Sequence, residues 1–221
     1  MAIERTAMRR TRERDLVLAT RALFDERGML DAPIEEIAKA VGIARGLIYR
    51  EFSSKEELFV LTVTDYLAEL EGVLGAAIVE DAAPALQLET GLTAYAEFCR
   101  RYPAFLDISL SLMHRRALEL KAAISESVWL RLGRSMAACI DPLVLVLRAG
   151  AEDGTFDVAD PEYMASILWT QILGAMHLAR SRVGVSQAAP GVPELFTIAP
   201  ERVVRTCVES ALRTCGAQIP R

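Results

Sequence analysis

The tightest constraint on the fold of this chain is a run from Ile34 to Phe52, IEEIAKAVGIARGLIYREF. Two short helices can cross closely at a steep angle only where the residue at the crossing is small. The turn between them needs a residue free to adopt positive φ. Ala38 meets the first requirement and Gly42, four residues on, meets the second. Ile37, Val41, Ile43 and Ile48 supply aliphatic side chains to plug the corner. The spacing therefore predicts a helix over Ile34–Val41, a glycine turn, and a helix from about Ala44 to Glu51. Together these make a helix-turn-helix, a pattern shared with any helical hairpin that turns on a glycine.

The rest of the chain also reads as helix, so the expected class is all-α. From Thr11 to Arg27, Leu16, Thr20, Leu23 and Phe24 fall on one face, and Gly28 follows as a stop. Pro33 suits the opening of the next helix, where a missing N–H costs nothing. Ser53 with Glu56, or Ser54 with Glu57, completes a capping box for a helix running to about Glu71. Further helices are expected near 84–101, 103–115, 118–150, 161–182 and 200–216, with Asp141-Pro142 kinking or dividing the long one. No strand-type alternation stands out, and the Gly/Pro-rich stretch Gly184–Ala199 reads as a long loop. In the last helix Val203, Val204, Cys207, Val208, Ala211, Leu212 and Cys215 form one apolar stripe that must be buried. That stripe and the apolar 161–182 segment offer two surfaces for a four-helix seam with a second copy.

Charge is unevenly spread. Residues 1–60 carry eleven basic and eleven acidic side chains, so the whole net charge of −5 lies in residues 61–221. Within the neutral part, Arg5, Arg9, Arg10, Arg12 and Arg14 face only Glu4 and Glu13 over the first fourteen residues. A basic arm on a neutral head suits local contact with phosphates. The charged N-terminus lacks the apolar run of a signal peptide, so a cytoplasmic location is expected. The longest uncharged run, Tyr163–Ala179, contains Ser166, Thr170, Gln171 and His177 and is short for a membrane span. Cys99, Cys139, Cys207 and Cys215 form no CxxC and no metal spacing, and read as inert core residues. His114 and His177 are the only histidines, and no G-x-S-x-G or phosphate-binding glycine loop occurs. No catalytic centre, metal site or cofactor is expected.

The segment GLIYREFSSKEEL, with FDERG upstream, resembles the DNA-binding domain of the tetracycline-repressor (TetR) family. The resemblance runs through residues 10–60 without a gap and is most specific in the tyrosine followed by F-x-x-K-E-x-L. It implies a three-helix helix-turn-helix domain over residues 1–60, joined to a helical ligand-binding and dimerisation domain over 61–221. GTFDVADPE, leading into a long apolar helix, is a familiar feature of such bodies.

The resemblance also assigns roles. Ala44, Arg45 and Gly46 open the helix that enters the major groove. Arg45 is the long donor there, able to reach guanine O6 and N7 or a phosphate, and Gly46 lets the backbone approach. Tyr49 matches the family tyrosine whose hydroxyl reaches a phosphate. Lys55 matches the lysine at the N-terminus of the fourth helix, where charge and helix dipole both favour a phosphate. Arg50 and Arg12 complete the expected DNA-contacting set. Two departures stand out. Glu51 occupies a position where many relatives carry histidine or an aromatic; beside DNA it must accept from a cytosine amine or pair with Arg50. Ala32-Pro33 replaces a phosphate-contacting Ser or Thr.

For the effector the expected lining is Tyr95, Phe98, Met113, His114, Trp129, Asp141 and Trp169, though such residues on helices more often simply pack in a core. Asp141 is either a buried carboxylate for a cationic ligand or the cap of a helix opened by Pro142. The function implied is a homodimeric repressor, released from a palindromic operator in double-stranded DNA by a small, largely apolar effector. A helical adaptor of the same fold that does not bind DNA is the alternative.

Overall fold

The computed structural model describes residues 2–27, 33–114 and 116–217, with side chains from Met8 onward. Among them the chain forms α1 (Ala2–Arg27), α2 (Ile34–Val41), α3 (Arg45–Glu51), α4 (Lys55–Ala77), α5 (Pro84–Arg101), α6 (Pro103–Met113), α7 (Ala117–Ala123), α8 (Glu126–Glu152) and α9 (Pro161–Ser181). A hairpin of β1 (Val183–Ala189) and β2 (Val192–Thr197) follows, then α10 (Pro200–Thr214). The all-α expectation holds apart from that hairpin. Gly28 and Ala32 lie outside the described residues.

Proline sets several helix starts. Pro84, Pro103, Pro161 and Pro200 each occupy the first position of a helix, where fixed φ helps and no N–H is needed. At α9 the Asp160 carboxylate also accepts from the Tyr163 N–H at 2.9 Å. Pro33 stands one place earlier than expected, as the N-cap of α2.

The chain divides into two compact units. The first comprises residues 1–69 and 102–136. Its core gathers Leu16, Leu23 and Phe24 of α1, Ile37 and Ala38 of α2, Ile48 of α3, and Leu58 and Leu61 of α4. Thr20 is buried among them and donates to the Leu16 carbonyl at 2.7 Å. Phe24 and Phe59 meet edge to face at 5.2 Å. The second unit comprises residues 70–101 and 137–221 and is built on mutual packing of α5, α9 and α10. The apolar stripe of α10 is buried there, with Val203 at its margin. It is therefore consumed within the chain, and a seam with a second copy must use other faces.

Two further expectations are corrected. The stretch expected as one helix over 118–150 breaks at Ile124–Ser125, and α8 then runs on through Pro142. Asp141 thus caps nothing. The Gly184–Ala199 stretch is not a loop: β1 and β2 pair antiparallel, Val185 opposite Leu195, with an irregularity between Gln187 and Ala189. Its reversal uses Pro190-Gly191, with Gly191 at φ 80°, the order that a type II turn favours.

In the second unit Tyr95 is fully buried and stacks on Trp169, ring centroids 4.1 Å apart. The Tyr95 hydroxyl has no hydrogen-bond partner among the described residues, and burial holds its pKa well above the usual tyrosine value. A buried unpaired hydroxyl costs about 1–3 kcal/mol. Tyr95→Phe keeps the stacked ring and removes that cost. The ligand-free variant should melt about 2–4 °C above wild type in a thermal scan, the shift that about 1 kcal/mol makes at this chain length. A fall of that size would mean the hydroxyl is satisfied.

Candidate nucleic-acid interface

The α2–α3 corner is built as its residues dictate. Gly42 sits at φ 71° and its N–H bonds to the Lys39 carbonyl at 3.1 Å, ending α2. The Ile43 N–H returns to the Ala38 carbonyl at 2.9 Å, so the turn stays tight over a buried alanine. Ile37 and Ile48 fill the corner, with Val41 and Ile43 half-buried beside them. Ala44 caps α3 in extended conformation.

With Ile48 turned inward, α3 presents Ala44, Arg45, Gly46, Tyr49 and Arg50 to solvent. The Arg45 guanidinium lies 5.6 Å from the centre of the Tyr49 ring and forms an ion pair with Glu35 of α2. Hydrogen bonding to Tyr49, then the Glu35 charge, raises its pKa. The long donor is thus held at the exposed start of the helix. Lys55 opens α4 with its ammonium 5.0 Å from the Phe59 ring centre.

Glu51 resolves differently from the expectation that it pairs with Arg50. Its carboxylate accepts from Arg12 of α1 at 2.9 Å and lies 3.4 Å from Arg9. Met8, Arg9, Arg12, Arg50 and Glu51 line a hollow of about 450 Å³. The basic arm, helical from Ala2, so neutralises the one carboxylate of α3 and leaves an arginine-rich rim. Arg9 was readable only as part of a basic run, because the residue facing it lies some forty positions away.

At the N-terminus of α4 the Ser54 register of the capping box is used. Ser54 Oγ accepts from the Glu57 N–H at 3.1 Å and itself donates to the Ala123 carbonyl at 2.7 Å. The Glu57 carboxylate reaches one residue further back than in the standard box, accepting from the Ser53 N–H at 2.5 Å. It also accepts from the hydroxyls of Ser53 and Ser125. This buried carboxylate ties the start of α4 to the α7–α8 junction, a link with no sequence signature.

The expected effector residues fall into two groups. Tyr95, Phe98 and Trp169 are buried in the second unit. Asp141 also belongs there but is exposed, which removes the basis for a buried carboxylate facing a cation. Met113, His114 and Trp129 belong to the first unit: Met113 and His114 are exposed at the end of α6, and Trp129 is half-buried. His114 Nδ1 lies 2.6 Å from the Leu110 carbonyl. Cys99, Cys139, Cys207 and Cys215 are buried and unpaired with one another. Desolvation pushes Cys139 up to about 12 and Cys215 up to about 11, far from a reactive thiolate. Among the described residues no group of three or more His, Cys, Asp or Glu is placed to hold a metal ion, and no helix is long and apolar enough to cross a membrane.

A short exposed helix behind a glycine corner is the geometry of a helix-turn-helix. Residues 16–61 match the profile of bacterial regulatory proteins, tetR family. The chain is 32% identical over 81 residues to the nucleoid occlusion factor SlmA of Haemophilus ducreyi. That stretch is 37% of this chain and spans 40% of SlmA's length. In fold it is similar to a tetR-family regulatory protein from Rhodococcus RHA1, with TM-score 0.66 and 18% identity over 94% of this chain and 98% of the other. It is also similar to RolR solved with resorcinol, with TM-score 0.66 and 19% identity over 96% and 91% of the two chains. Residues 16–61 are thus similar to the DNA-binding domain of the tetR family, and the chain as a whole shares the fold of tetR-family regulators.

The Glu57 cluster yields a pH prediction. Burial would raise the Glu57 pKa, but the bonds from Ser125 and Ser53 outweigh it and the net shift is downward. A carboxylate with a depressed folded pKa stabilises the fold above its unfolded pKa and loses that contribution as pH falls through the folded one. Glu57→Gln should therefore be less stable than wild type by about 1–3 kcal/mol at neutral pH. The gap should close as pH drops below the ordinary value of 4.5. Urea unfolding at about pH 7 and about pH 3 reads both; a gap independent of pH would show that the ionised form is not what the serines hold.

Proposed function

We propose that this chain is a homodimeric repressor whose head, residues 1–60, grips a palindromic operator. Its body, residues 61–221, would dimerise and take a small, largely apolar effector in the cytoplasm. The observation that carries the reading is the α2–Gly42–α3 corner. It buries Ile37, Ala38 and Ile48 while turning Ala44, Arg45, Gly46 and Tyr49 outward together. Arg45 then reads a base edge or clamps a phosphate, Tyr49 and Lys55 hold phosphates, and Arg12 and Arg50 flank them. Glu51 speaks less for a non-DNA adaptor once Arg12 and Arg9 neutralise it.

Two recognition helices must stand about 34–36 Å apart to read successive major grooves on one face of DNA. An effector that prefers another separation weakens operator binding by its differential affinity for the two states. The buried Tyr95–Trp169 stack, with its unpaired hydroxyl, supports an aromatic or apolar effector carrying one polar group. RolR, a fold relative, is solved with resorcinol, a small aromatic diol.

Fluorescence anisotropy with DNA from upstream of the gene tests the reading. Wild type should prefer one palindromic fragment, with affinity falling steeply as salt rises. Arg45→Ala should weaken that preference about 5- to 150-fold, the range for about 1–3 kcal/mol, whereas Tyr49→Phe should weaken all fragments alike. Failure to bind even random DNA at low salt would refute the DNA-binding head.

A further inference from the structure

Glu51 is an odd residue to find at the end of the exposed helix α3. Its side chain is only 7% exposed, and no other residue of α3 carries a carboxylate. A buried carboxylate needs charged or hydrogen-bonding partners. Glu51 draws them from α1: its Oε1 accepts from Arg12 Nη1 at 2.9 Å, and its Oε2 lies 3.4 Å from Arg9 Nε. Arg9 and Arg12 stand three residues apart, about one turn along the same face of α1. Each therefore meets a different oxygen of one carboxylate.

Two guanidinium groups one turn apart repel each other and spread into solvent when nothing lies between them. Here the carboxylate gathers them at the end of α3, beside Arg50. With Met8 these residues line the hollow of about 450 Å³. Three guanidinium groups against one carboxylate leave it with a positive excess. Arg9 is 68% exposed, Arg12 33%, and Arg50 is exposed. Each guanidinium carries five N–H donors, so the bonds to Glu51 leave most of them for an anion. An open, cationic hollow walled by such donor forks suits the oxygens of a phosphodiester. Arg50 follows Tyr49 on α3, so the hollow borders the surface that carries Arg45 and Tyr49.

We propose that Glu51 is a positioning residue that gathers Arg9 and Arg12 beside Arg50 into a site for one phosphate of the DNA backbone. The inference rests on the DNA-binding reading above; it adds Arg9 to the contacts and gives Glu51 a role. A carboxylate that would repel DNA if left bare thereby strengthens the grip. Backbone phosphates are alike in every sequence, so the site adds affinity without adding preference among bases.

Fluorescence anisotropy of the full chain with a random-sequence duplex, followed across salt concentrations, tests the site. Each phosphate neutralised contributes about 0.9 to the slope of log affinity against log salt. Arg9→Gln and Arg50→Gln should each lower that slope by about one. Glu51→Gln removes a negative charge, and simple attraction to DNA would make it bind more tightly. The site requires the opposite: affinity lower by about threefold or more, with the slope lower by about one. In an Arg9→Gln, Arg12→Gln background the same substitution should tighten binding, because no arginines remain to be placed. Circular dichroism melts verify that each variant folds, and a head merely loosened loses affinity equally at every salt concentration. Glu51→Gln that binds more tightly, or more weakly with an unchanged slope, overturns the positioning role. So does a Glu51→Gln that still weakens binding without Arg9 and Arg12. An unchanged slope in Arg9→Gln overturns the phosphate site while the DNA-binding head stands. A wild type that binds no DNA even at low salt overturns both.

Discussion

The first unit hangs on Arg21. Its guanidinium leaves α1 and reaches Asp65 at 2.7 Å and Glu69 on α4, with Asp25 at 3.8 Å on its own helix. It lies 4.1 Å from the Tyr66 ring centre and 5.1 Å from that of Tyr102, the residue capping α6. The Tyr66 hydroxyl bonds to Asp25 and the Tyr102 hydroxyl to Glu69, both at 2.6 Å. Burial alone would lower the Arg21 pKa; bonds to Asp65 and Glu69 more than offset it. A half-buried charge cannot move without stranding these partners. The cluster therefore fixes α1 against α4 and the start of α6, and α1 in turn packs on α2 and α3.

The head solves an electrostatic problem by local pairing. Residues 1–60 carry no net charge, so on the proposed reading they would meet phosphates without a net positive charge. Glu57 points inward, where serine hydroxyls hold it, and Glu51 is covered by Arg12 and Arg9. Glu35 engages Arg45 at the tip of α3. The last pairing is exposed on both sides and so contributes little to stability. It holds Arg45 in place at low cost, whereas the carboxylates of Glu51 and Glu57 are sheltered.

Legibility in the sequence followed the range of the interaction. The α2–α3 corner was readable because its needs are local: a small residue, a glycine four later and aliphatic plugs, all within Ile34–Ile48. The proline-led starts of α9 and α10 were readable for the same reason. Pro142 does not divide the helix, since α8 runs through it, and the break falls at Ile124–Ser125, with no glycine or proline to mark the place. The hairpin was hidden because Pro190-Gly191, with Gly184 and Pro193, made a strand pair look like a loop. The partners of Arg21 and Glu51, and the bond from Ser125 to Glu57, escaped because they lie 39 to 68 positions away.

The same contrast bears on how such a regulator diversifies. The head is constrained by a corner that tolerates few substitutions and by a polar cluster around Arg21 whose members depend on one another. The second unit is constrained more loosely: α10 must bury Val204, Cys207, Val208, Ala211 and Leu212 against α5 and α9, and any aliphatic set of similar volume serves. That freedom matches what the relatives display. Identity to SlmA reaches 32% but covers only 81 residues, while the fold persists over nine-tenths of the chain at 18–19% identity. In a body free to change side chains while keeping its helices, selection can alter the α9–α10 surface and the Tyr95–Trp169 interior without touching the α2–α3 corner.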